Sequence, residues 1–414
     1  MLGVGVVFVF FASIAFLGFI VNSLFEKIKI TNVLPLIFLG LLFGPIFHVI
    51  NVQPNSEIGK LTQYIDAIAV AFILFDAGAN TRYKELRRVF AKANTFTFLV
   101  QASTGILAAI IANYMLHIGI IYSLIFGFAI SGPSSIIVPT VAKVIKVPRK
   151  LKATLIYESI ITDVGQLVIP LILIEFATSS NGINSYYVES FIINNVAASP
   201  LFGFFGALFW LYVLKEIGNT SREYGWMLTI TMVIATYGMS VELGLNAAIA
   251  IFVFGLVFYN LGIVGAKSKP LKSFYVGESI TYIVKYQKES SFFISTFFFF
   301  YLGLAFSIQE ANYYLIILST IISLILIPIR LIFSTAISEF LSKNKEKRSI
   351  ERKIVTFNVA RGLSPAIIAV SLISYGINLP GIEDAIFLII LITNILASIG
   401  LALSYNAEAY YKEK

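Results

Sequence analysis

Two oxygen-bearing side chains lie one helical turn apart in the apolar stretch 152–177. Asp163 is near the middle of this stretch, and Ser159 precedes it at a spacing that puts both side chains on one face of an α-helix. A carboxylate and a hydroxyl are hard oxygen ligands, which suit Na⁺ or Li⁺ better than soft metals. We therefore predict that Asp163 and Ser159 form part of a site for a monovalent cation and a proton. The alternative is a protonated Asp163 that only hydrogen-bonds a neighbouring helix.

Two other apolar stretches, 119–144 and 353–375, are interrupted by glycine and proline. The interrupting residues are Gly132 and Pro133 in the first stretch, and Gly362 and Pro365 in the second. Proline removes a backbone donor, and lipid cannot satisfy the carbonyl groups that are freed, so they must face a protein cavity or a bound ion. The pair predicts two broken helices of opposite direction that cross at the bilayer midplane, as in transporter sites. The alternative is two ordinary kinks packed against neighbouring helices.

Ionisable residues far from the ends of the predicted helices are Asp76, Glu158, Asp163, Arg330 and Arg361. A charge at the bilayer centre costs about 2.5–3.5 kcal/mol on insertion scales, so each of them is a candidate for a functional role. Arg361 needs a counter-ion because arginine keeps its proton, and we predict a structural ion pair between Glu158 and Arg361. Asp76 either lines an ion path or caps a neighbouring helix, and the role of Arg330 stays open.

These residues belong to a chain whose composition suits lipid rather than water. Apolar types make up 58% of its 414 residues and charged types 13%, whereas soluble domains have about 25% charged residues. A spanning helix needs about 20 mostly apolar residues, and about thirteen such stretches occur. They are 2–24, 31–50, 62–81, 91–116, 119–144, 152–177, 189–214, 225–241, 244–264, 290–308, 312–338, 353–375 and 382–405. We predict an all-α polytopic membrane protein with about thirteen transmembrane helices, the first of which is not a cleaved signal peptide.

The basic residues divide unequally between the two sides of this arrangement. With the N-terminus outside, all of the 30 lysines and arginines lie on the inner side except Lys60, Arg330 and Arg361. Cytoplasmic loops of membrane proteins carry such an excess, so we predict a multi-pass cell-membrane protein with a cytoplasmic C-terminus. The net charge of +8 then reflects loops that face anionic lipid, and no nucleic-acid partner is expected.

The composition also excludes several kinds of catalytic and cofactor site. The chain has no cysteine and only two histidines, His48 and His117, both near predicted helix ends. Thiolate sites and histidine-rich zinc or haem sites are therefore not expected, nor is an intramembrane protease. We predict a transporter without a cofactor, and not an enzyme. An ion-coupled symporter for an organic solute is one alternative, although the broken helices contain little Asn or Gln, and a passive channel is another.

Four segments resemble the sodium/proton antiporter superfamily, most closely its archaeal NhaP type and the eukaryotic sodium/hydrogen exchangers. They are Phe75-Asp76-Ala77-Gly78, Glu158-Ser159-Ile160-Ile161-Thr162-Asp163, Phe300-Tyr301-Leu302-Gly303, and Ala360-Arg361-Gly362 through Pro365. Their order and spacing, together with the number of predicted helices, extend the resemblance over nearly the whole chain.

The resemblance implies a homodimer that works by alternating access. Residues 91–177 and 312–405 would form a six-helix transport bundle that moves against interface helices in 1–81 and 189–308. The residues implied to complete the cation site around Asp163 are Ser159, Thr162, Asp76 and Ser131. We predict exchange of Na⁺ or Li⁺ for H⁺ across the cell membrane, with ion and proton competing for Asp163. K⁺/H⁺ exchange is the alternative.

Three positions depart from the family pattern. Thr162 stands where Asn or Asp usually precedes the carboxylate, and that pair is the usual indicator of electroneutral or electrogenic exchange. Gly132 stands where NhaP-type proteins often have the Asp of a Thr-Asp-Pro motif. Ser295 or Thr296 stands where relatives often have Lys or Arg. The stoichiometry and the choice between Na⁺ and K⁺ therefore stay open.

Overall fold

The computed structural model describes most of the chain. The described residues are 12–14, 16–20, 33–47, 67–68, 71–79, 83–134, 138, 148–178, 193–217, 224–264, 278–306, 313–342, 344–379 and 381–404. Regular structure within them is helical throughout. The helices are α1 (Val33–Leu41), α2 (Tyr83–Leu116), α3 (Ile120–Ala129), α4 (Arg149–Thr178), α5 (Ser199–Ile217), α6 (Gly225–Glu242), α7 (Ala247–Val264), α8 (Glu278–Ala305), α9 (Tyr313–Leu341), α10 (Lys345–Thr356), α11 (Leu363–Ser374) and α12 (Ile382–Ser404), with π-helical turns at Leu42–Ile46 and Ile193–Ala198.

Five of the described helices are long and apolar enough to cross a membrane. The five apolar segments are Ala93–Leu116, Lys150–Thr178, Ser199–Ile217, Tyr313–Leu341 and Ile382–Gly400. Large apolar side chains such as Phe98 and Ile332 are exposed on these helices, as expected where lipid replaces water. The prediction of an all-α membrane protein is confirmed. Several of the predicted spans lie partly outside the described residues, so the number of spans stays a prediction.

The chain divides into two compact units. The first unit comprises Met1–Gln63, Val89–Leu173 and Phe293–Lys414, and the second comprises Tyr64–Arg88 and Ile174–Phe292. The first unit therefore contains both interrupted helices and the helix that carries the central carboxylate. The assignment of residues to a transport bundle and to interface helices stays a prediction.

An apolar cluster joins four helices of the first unit. Buried side chains of α2, α4, α9 and α10 meet in it, among them Val100, Leu155, Ile337 and Val355. Interiors of this kind are close-packed, so each helix has little freedom to rotate or slide against its neighbours. This packing sets which faces of α4, α9 and α10 point at one another.

A short amphipathic helix precedes the second interruption. α10 begins after Asn344, whose Oδ1 accepts hydrogen bonds from the backbone N–H groups of Glu346 at 2.9 Å and Lys347 at 3.4 Å. Such a side chain satisfies donors that the start of a helix leaves unpaired. The sequence placed the start of this span at residue 353, which lies inside α10. The helix thus begins before the predicted span, because charged residues such as Lys345 and Arg352 lie on its exposed face.

Two glycines bring helices of the second unit into backbone contact. A Cβ atom on Gly78 would overlap the carbonyl oxygen of Phe252, and one on Gly255 would overlap that of Phe75. Small residues permit this close approach of helices in membranes. The contact fixes the helical segment that carries Asp76.

Two helix boundaries of the second unit can be compared with the sequence. α6 and α7 are separated by a turn in which Gly244 has a φ of +64°, a conformation that favours glycine, so the predicted separation of these spans is confirmed. α8 begins at Glu278, although a loop was predicted as far as residue 289. That prediction was wrong because one face of this polar segment is buried, where Gln287 Nε2 donates to the Phe72 carbonyl at 3.1 Å.

Candidate functional site

The first interrupted helix, α3, ends at Ala129. Residues 131–134 have no regular structure, and the Ser131 hydroxyl donates a hydrogen bond of 2.7 Å to the Phe128 carbonyl. This bond satisfies one of the carbonyl groups that the end of a helix leaves free. The chain therefore leaves helical geometry within the predicted interruption.

The second interruption lies slightly before its predicted position. α10 ends at Thr356, residues 358–362 have no regular structure, and α11 begins at Leu363. Pro365 therefore lies in the first turn of α11 and not in the interruption. Proline is tolerated in a first turn because the N–H groups there have no partner within the helix.

Two side chains of α12 hold the backbone of the second interruption. Asn394 Nδ2 donates to the Arg361 carbonyl at 2.8 Å, and Thr393 Oγ1 accepts from the Arg361 N–H at 3.3 Å. Both backbone groups of Arg361 are thus satisfied outside any helix. The guanidinium donates from Nη1 to the Val359 carbonyl at 3.2 Å. Its Nε atom has no partner among the described residues.

The two interruptions are in direct contact. The Ser134 N–H donates to the Ala360 carbonyl at 2.9 Å. A Cβ atom at Gly362 would overlap the Ser134 side chain, so this close crossing requires glycine at position 362. The two interruptions therefore meet as predicted, although most of the second half of the first broken helix lies outside the described residues.

Asp163 lies buried on α4. The hydroxyl of Ser364, in the first turn of α11, donates a hydrogen bond to Asp163 Oδ1. The adjacent Thr162 Oγ1 is 3.5 Å from the Pro133 carbonyl of the first interruption. Two consecutive residues of α4 therefore contact both broken helices. Ser364 was not predicted as a site residue, although it lies within Ala360-Arg361-Gly362 through Pro365, a segment that carries the family resemblance.

The predicted hydroxyl ligands on α4 both donate to the main chain of their own helix. Ser159 Oγ donates to the Ile156 carbonyl at 3.0 Å, and Thr162 Oγ1 donates to the Glu158 carbonyl at 2.9 Å. These bonds use the hydroxyl hydrogens and leave oxygen lone pairs that can bind a cation. Both side chains are buried.

Asp76, the remaining predicted ligand, belongs to the second unit. It lies on the helical segment 71–79 and is partly buried. Its role as a cation ligand stays a prediction.

Glu158 pairs with Arg330 and not with Arg361. Arg330 Nη1 is 2.6 Å from Glu158 Oε1, and Nη2 is 3.0 Å from Oε2, the bidentate geometry of strong arginine–carboxylate pairs. Asn358 Nδ2 donates to the same carboxylate at 3.3 Å, and Arg330 Nε donates to the Val355 carbonyl at 2.9 Å. The predicted Glu158–Arg361 pair is therefore wrong, because the packing of α9 brings a different arginine to Glu158.

The charges near Asp163 include that of the buried Arg361 guanidinium, which interacts electrostatically with Asp163 and Glu158. Arg330 neutralises Glu158. The described part of the chain has no group of three or more His, Cys, Asp or Glu side chains that could hold a metal ion. A single carboxylate with hydroxyl and carbonyl oxygens suits a hard monovalent cation, whereas Ca²⁺ sites usually combine several carboxylates.

Another buried carboxyl lies outside the predicted spans. Glu351 of α10 is buried, and its Oε2 has no hydrogen-bond partner among the described residues. Burial raises the pKa of Glu351 to about 7, against the opposing effects of Lys150 and Lys347. This carboxyl therefore titrates near neutral pH, about two helical turns before the second interruption.

A family model and a curated relative match the chain. The model, described as "Sodium/hydrogen exchanger, transmembrane", matches residues 11–405. The relative, Na(+)/H(+) antiporter 1 of Methanocaldococcus jannaschii, is 29% identical over 153 residues. That alignment covers 36% of this chain and 34% of the relative, so it spans only about a third of the relative's length.

Two structures of the sodium proton antiporter MjNhaP1 from Methanocaldococcus jannaschii share the fold. The structure at pH 8 has a TM-score of 0.74 and 20% sequence identity, over 98% of this chain and 100% of that chain. An electron-microscopy structure has a TM-score of 0.70 and 17% identity, over 98% and 96% of the two chains. The shared architecture therefore extends over essentially the whole chain.

Proposed function

The chain belongs to the sodium/hydrogen exchanger family, and we propose that it is a secondary active antiporter that exchanges Na⁺ or Li⁺ for H⁺ across the cell membrane. One observation carries this proposal: the buried carboxylate of Asp163 is hydrogen-bonded to one of two broken helices that cross. Freed backbone groups and a carboxylate together provide oxygen ligands at a place that lipid does not reach.

Competition at Asp163 explains how the two ion flows are coupled. Asp163 holds either a proton or a cation, and in both cases the charge of its carboxylate is balanced. A bare buried carboxylate is very costly, so the protein changes between outward- and inward-facing states only when the site is occupied. One carboxylate that trades one proton for one monovalent cation gives electroneutral exchange. If Asp76 also releases a proton, exchange of two protons for one cation follows.

The oxygen atoms around Asp163 suit a cation that has lost its water. The Ser364 hydroxyl donates to the carboxylate and keeps its own lone pairs. Ser159 and Thr162 add hydroxyl oxygens on α4, and Pro133 adds a carbonyl from the first interruption. Ser131 is the remaining hydroxyl that the resemblance assigns to the cation.

The Glu158–Arg330 pair has a structural role in this proposal. Both partners are buried and form a bidentate pair, and removal of either charge leaves the other uncompensated. Arg330 also binds the last turn of α10, and Asn358 ties the second interruption to the same carboxylate. The pair therefore stabilises the backbone around the crossing and leaves proton exchange to Asp163.

The same proposal covers the movement of the helices, the homodimer and the orientation of the chain in the membrane. Residues 91–177 and 312–405 move as a transport bundle against interface helices in 1–81 and 189–308, and two copies form a homodimer. The N-terminus is outside and the C-terminus is cytoplasmic, which the inner-side excess of basic residues supports.

Proton flux into liposomes tests the proposed activity. Purified protein is reconstituted with an internal pH dye and challenged with Na⁺, Li⁺, K⁺ and Ca²⁺ in turn. We expect Na⁺ and Li⁺ to drive proton movement, and Asp163→Asn to abolish it without a loss of folded protein. Glu242→Gln, which changes an exposed carboxylate, is the matched control and should exchange normally. Cation-driven flux that persists in folded Asp163→Asn would refute the mechanism, and a response to K⁺ alone would assign K⁺/H⁺ exchange.

A further inference from the structure

Gln166 is a buried amide to which the described residues offer no hydrogen bond. Its side chain is 1% exposed, and neither Nε2 nor Oε1 has a partner among those residues. An unpaired buried polar group is destabilising, and natural structures contain few of them. A ligand that is bound during part of a transport cycle would explain why the amide is kept.

The position of Gln166 indicates which ligand this is. Gln166 follows Asp163 by three residues on α4, and side chains at that spacing are neighbours on one helix face. A Cβ atom at Gly132 would lie 3.0 Å from Gln166 Nε2. The amide is therefore adjacent both to the exchanging carboxylate and to the first interruption.

Gly132 leaves the space that this amide needs. A Cβ atom at position 132 would overlap Thr162 as well as approach Gln166. Gly132 and Thr162, two positions that depart from the family pattern, are thus in contact. No side chain fits at position 132 while Thr162 and Gln166 keep their places. The polar group at the first interruption is therefore supplied from α4.

We propose that the Gln166 amide oxygen is a neutral ligand of the cation that Asp163 exchanges, an inference that rests on the antiport function proposed above. Amide oxygens are hard ligands, as carboxylate oxygens are. The two polar atoms of an amide exchange places by a half-turn of the side chain, and no hydrogen bond to a described residue fixes either orientation of Gln166. A neutral ligand adds no charge, so it does not change the exchange of one proton for one monovalent cation at Asp163.

Removal of the amide tests the proposal. Gln166→Leu keeps the side-chain size but has no oxygen ligand. We expect the Na⁺ concentration for half-maximal exchange to rise at least tenfold at fixed pH. Na⁺ should also raise the melting temperature in detergent, because a ligand that binds the folded state stabilises it. We expect the Na⁺ concentration for half of this maximal rise to increase by the same factor.

A matched control and a second variant make the test independent of folding losses. Gln287→Leu removes another buried amide, in the second unit, and should leave both half-maximal concentrations unchanged. Gln166→Glu keeps an oxygen and adds a charge. It should lower the half-maximal Na⁺ concentration and make exchange sensitive to membrane potential, because two carboxylates then serve one cation. If Gln166→Leu does not fold, Gln166→Glu decides the question.

The outcomes separate this inference from the antiport proposal. If Asp163→Asn loses exchange and cation-dependent stabilisation while both Gln166 variants match the unsubstituted protein, Gln166 is not a ligand and the antiport proposal stands. If Asp163→Asn retains both properties, the antiport proposal fails and the inference about Gln166 fails with it.

Discussion

The guanidinium of Arg330 binds both carboxylate oxygens of Glu158, with Nη1–Oε1 and Nη2–Oε2 distances of 2.6 and 3.0 Å. The two residues lie on α9 and α4, far apart in the chain, and both are buried. Arg330 also donates to the Val355 carbonyl near the end of α10. This pair therefore connects three helices of the first unit next to the second interruption.

A double-mutant cycle tests this pair. Glu158→Gln or Arg330→Met alone leaves a buried charge uncompensated and should destabilise the protein by about 3–5 kcal/mol. The double variant should lose less than the sum of the two single losses, as measured by melting temperature in detergent. The cycle of Glu158→Gln with Arg361→Met is the comparison, and its coupling should be smaller. A larger coupling with Arg361 would contradict the pairing of Glu158 with Arg330.

Asp76 is tested by its effect on cation affinity. If Asp76 is a ligand, Asp76→Asn removes a nearby negative charge, and the half-saturating cation concentration should rise at least tenfold, which corresponds to about 1.4 kcal/mol. The measurement is dye-monitored exchange against cation concentration at fixed pH. Glu242→Gln, which removes an exposed carboxylate of the same unit, should have no such effect. An unchanged half-saturation in Asp76→Asn would show that Asp76 is not a ligand.

The contact between the two interruptions predicts a compensating pair of substitutions. Gly362→Ala places a methyl group against the Ser134 side chain and should destabilise the protein by about 1–3 kcal/mol, the usual range for overpacking. Ser134→Gly removes the atoms that collide. The double variant should therefore be more stable than Gly362→Ala alone, by melting temperature, and should recover exchange activity. Equal losses in the single and double variants would show that the two positions are not in contact.

The buried carboxyl of Glu351 predicts a dependence of stability on pH. Its pKa is raised from 4.5 to about 7 in the folded protein by burial, so the folded state holds the proton more tightly than the unfolded state. The contribution of this tighter proton binding to the stability of the folded state is fully present below pH 4.5. It is lost as the pH rises through about 7. As the pH rises from 4.5 to about 7, the melting temperature should fall more in the unsubstituted protein than in Glu351→Gln.

The control for Glu351 is an exposed carboxylate of α9. Glu339 is 66% exposed and lies 3.7 Å from Arg348, so Glu339→Gln should leave the pH dependence of the unsubstituted protein unchanged. Parallel melting curves for Glu351→Gln and the unsubstituted protein across this pH range would show that Glu351 does not titrate there.

The features that sequence analysis predicted correctly depend on residues close together in the chain. An uninterrupted apolar run identifies a membrane helix because lipid cannot satisfy backbone groups outside helical geometry. Gly132 and Pro133 identify an interruption because their backbone properties are intrinsic to those residues. Helix ends were less predictable, as Lys345 and Glu278 show. Charged residues can occupy one face of a helix whose other face is buried.

The amino-acid sequence by itself determined an all-helical membrane protein with two broken helices and a central carboxylate at Asp163. Only the tertiary structure decided that Glu158 binds Arg330, that Ser364 donates to Asp163 and that Gln166 lies against Gly132. The sequence places both Arg330 and Arg361 inside predicted helices, so it could not identify the partner of Glu158. The partner of Glu158 is selected by side-chain packing between helices that are distant in the chain. A close-packed interior allows few relative positions of two helices, and the position adopted by α4 and α9 brings Glu158 and Arg330 together.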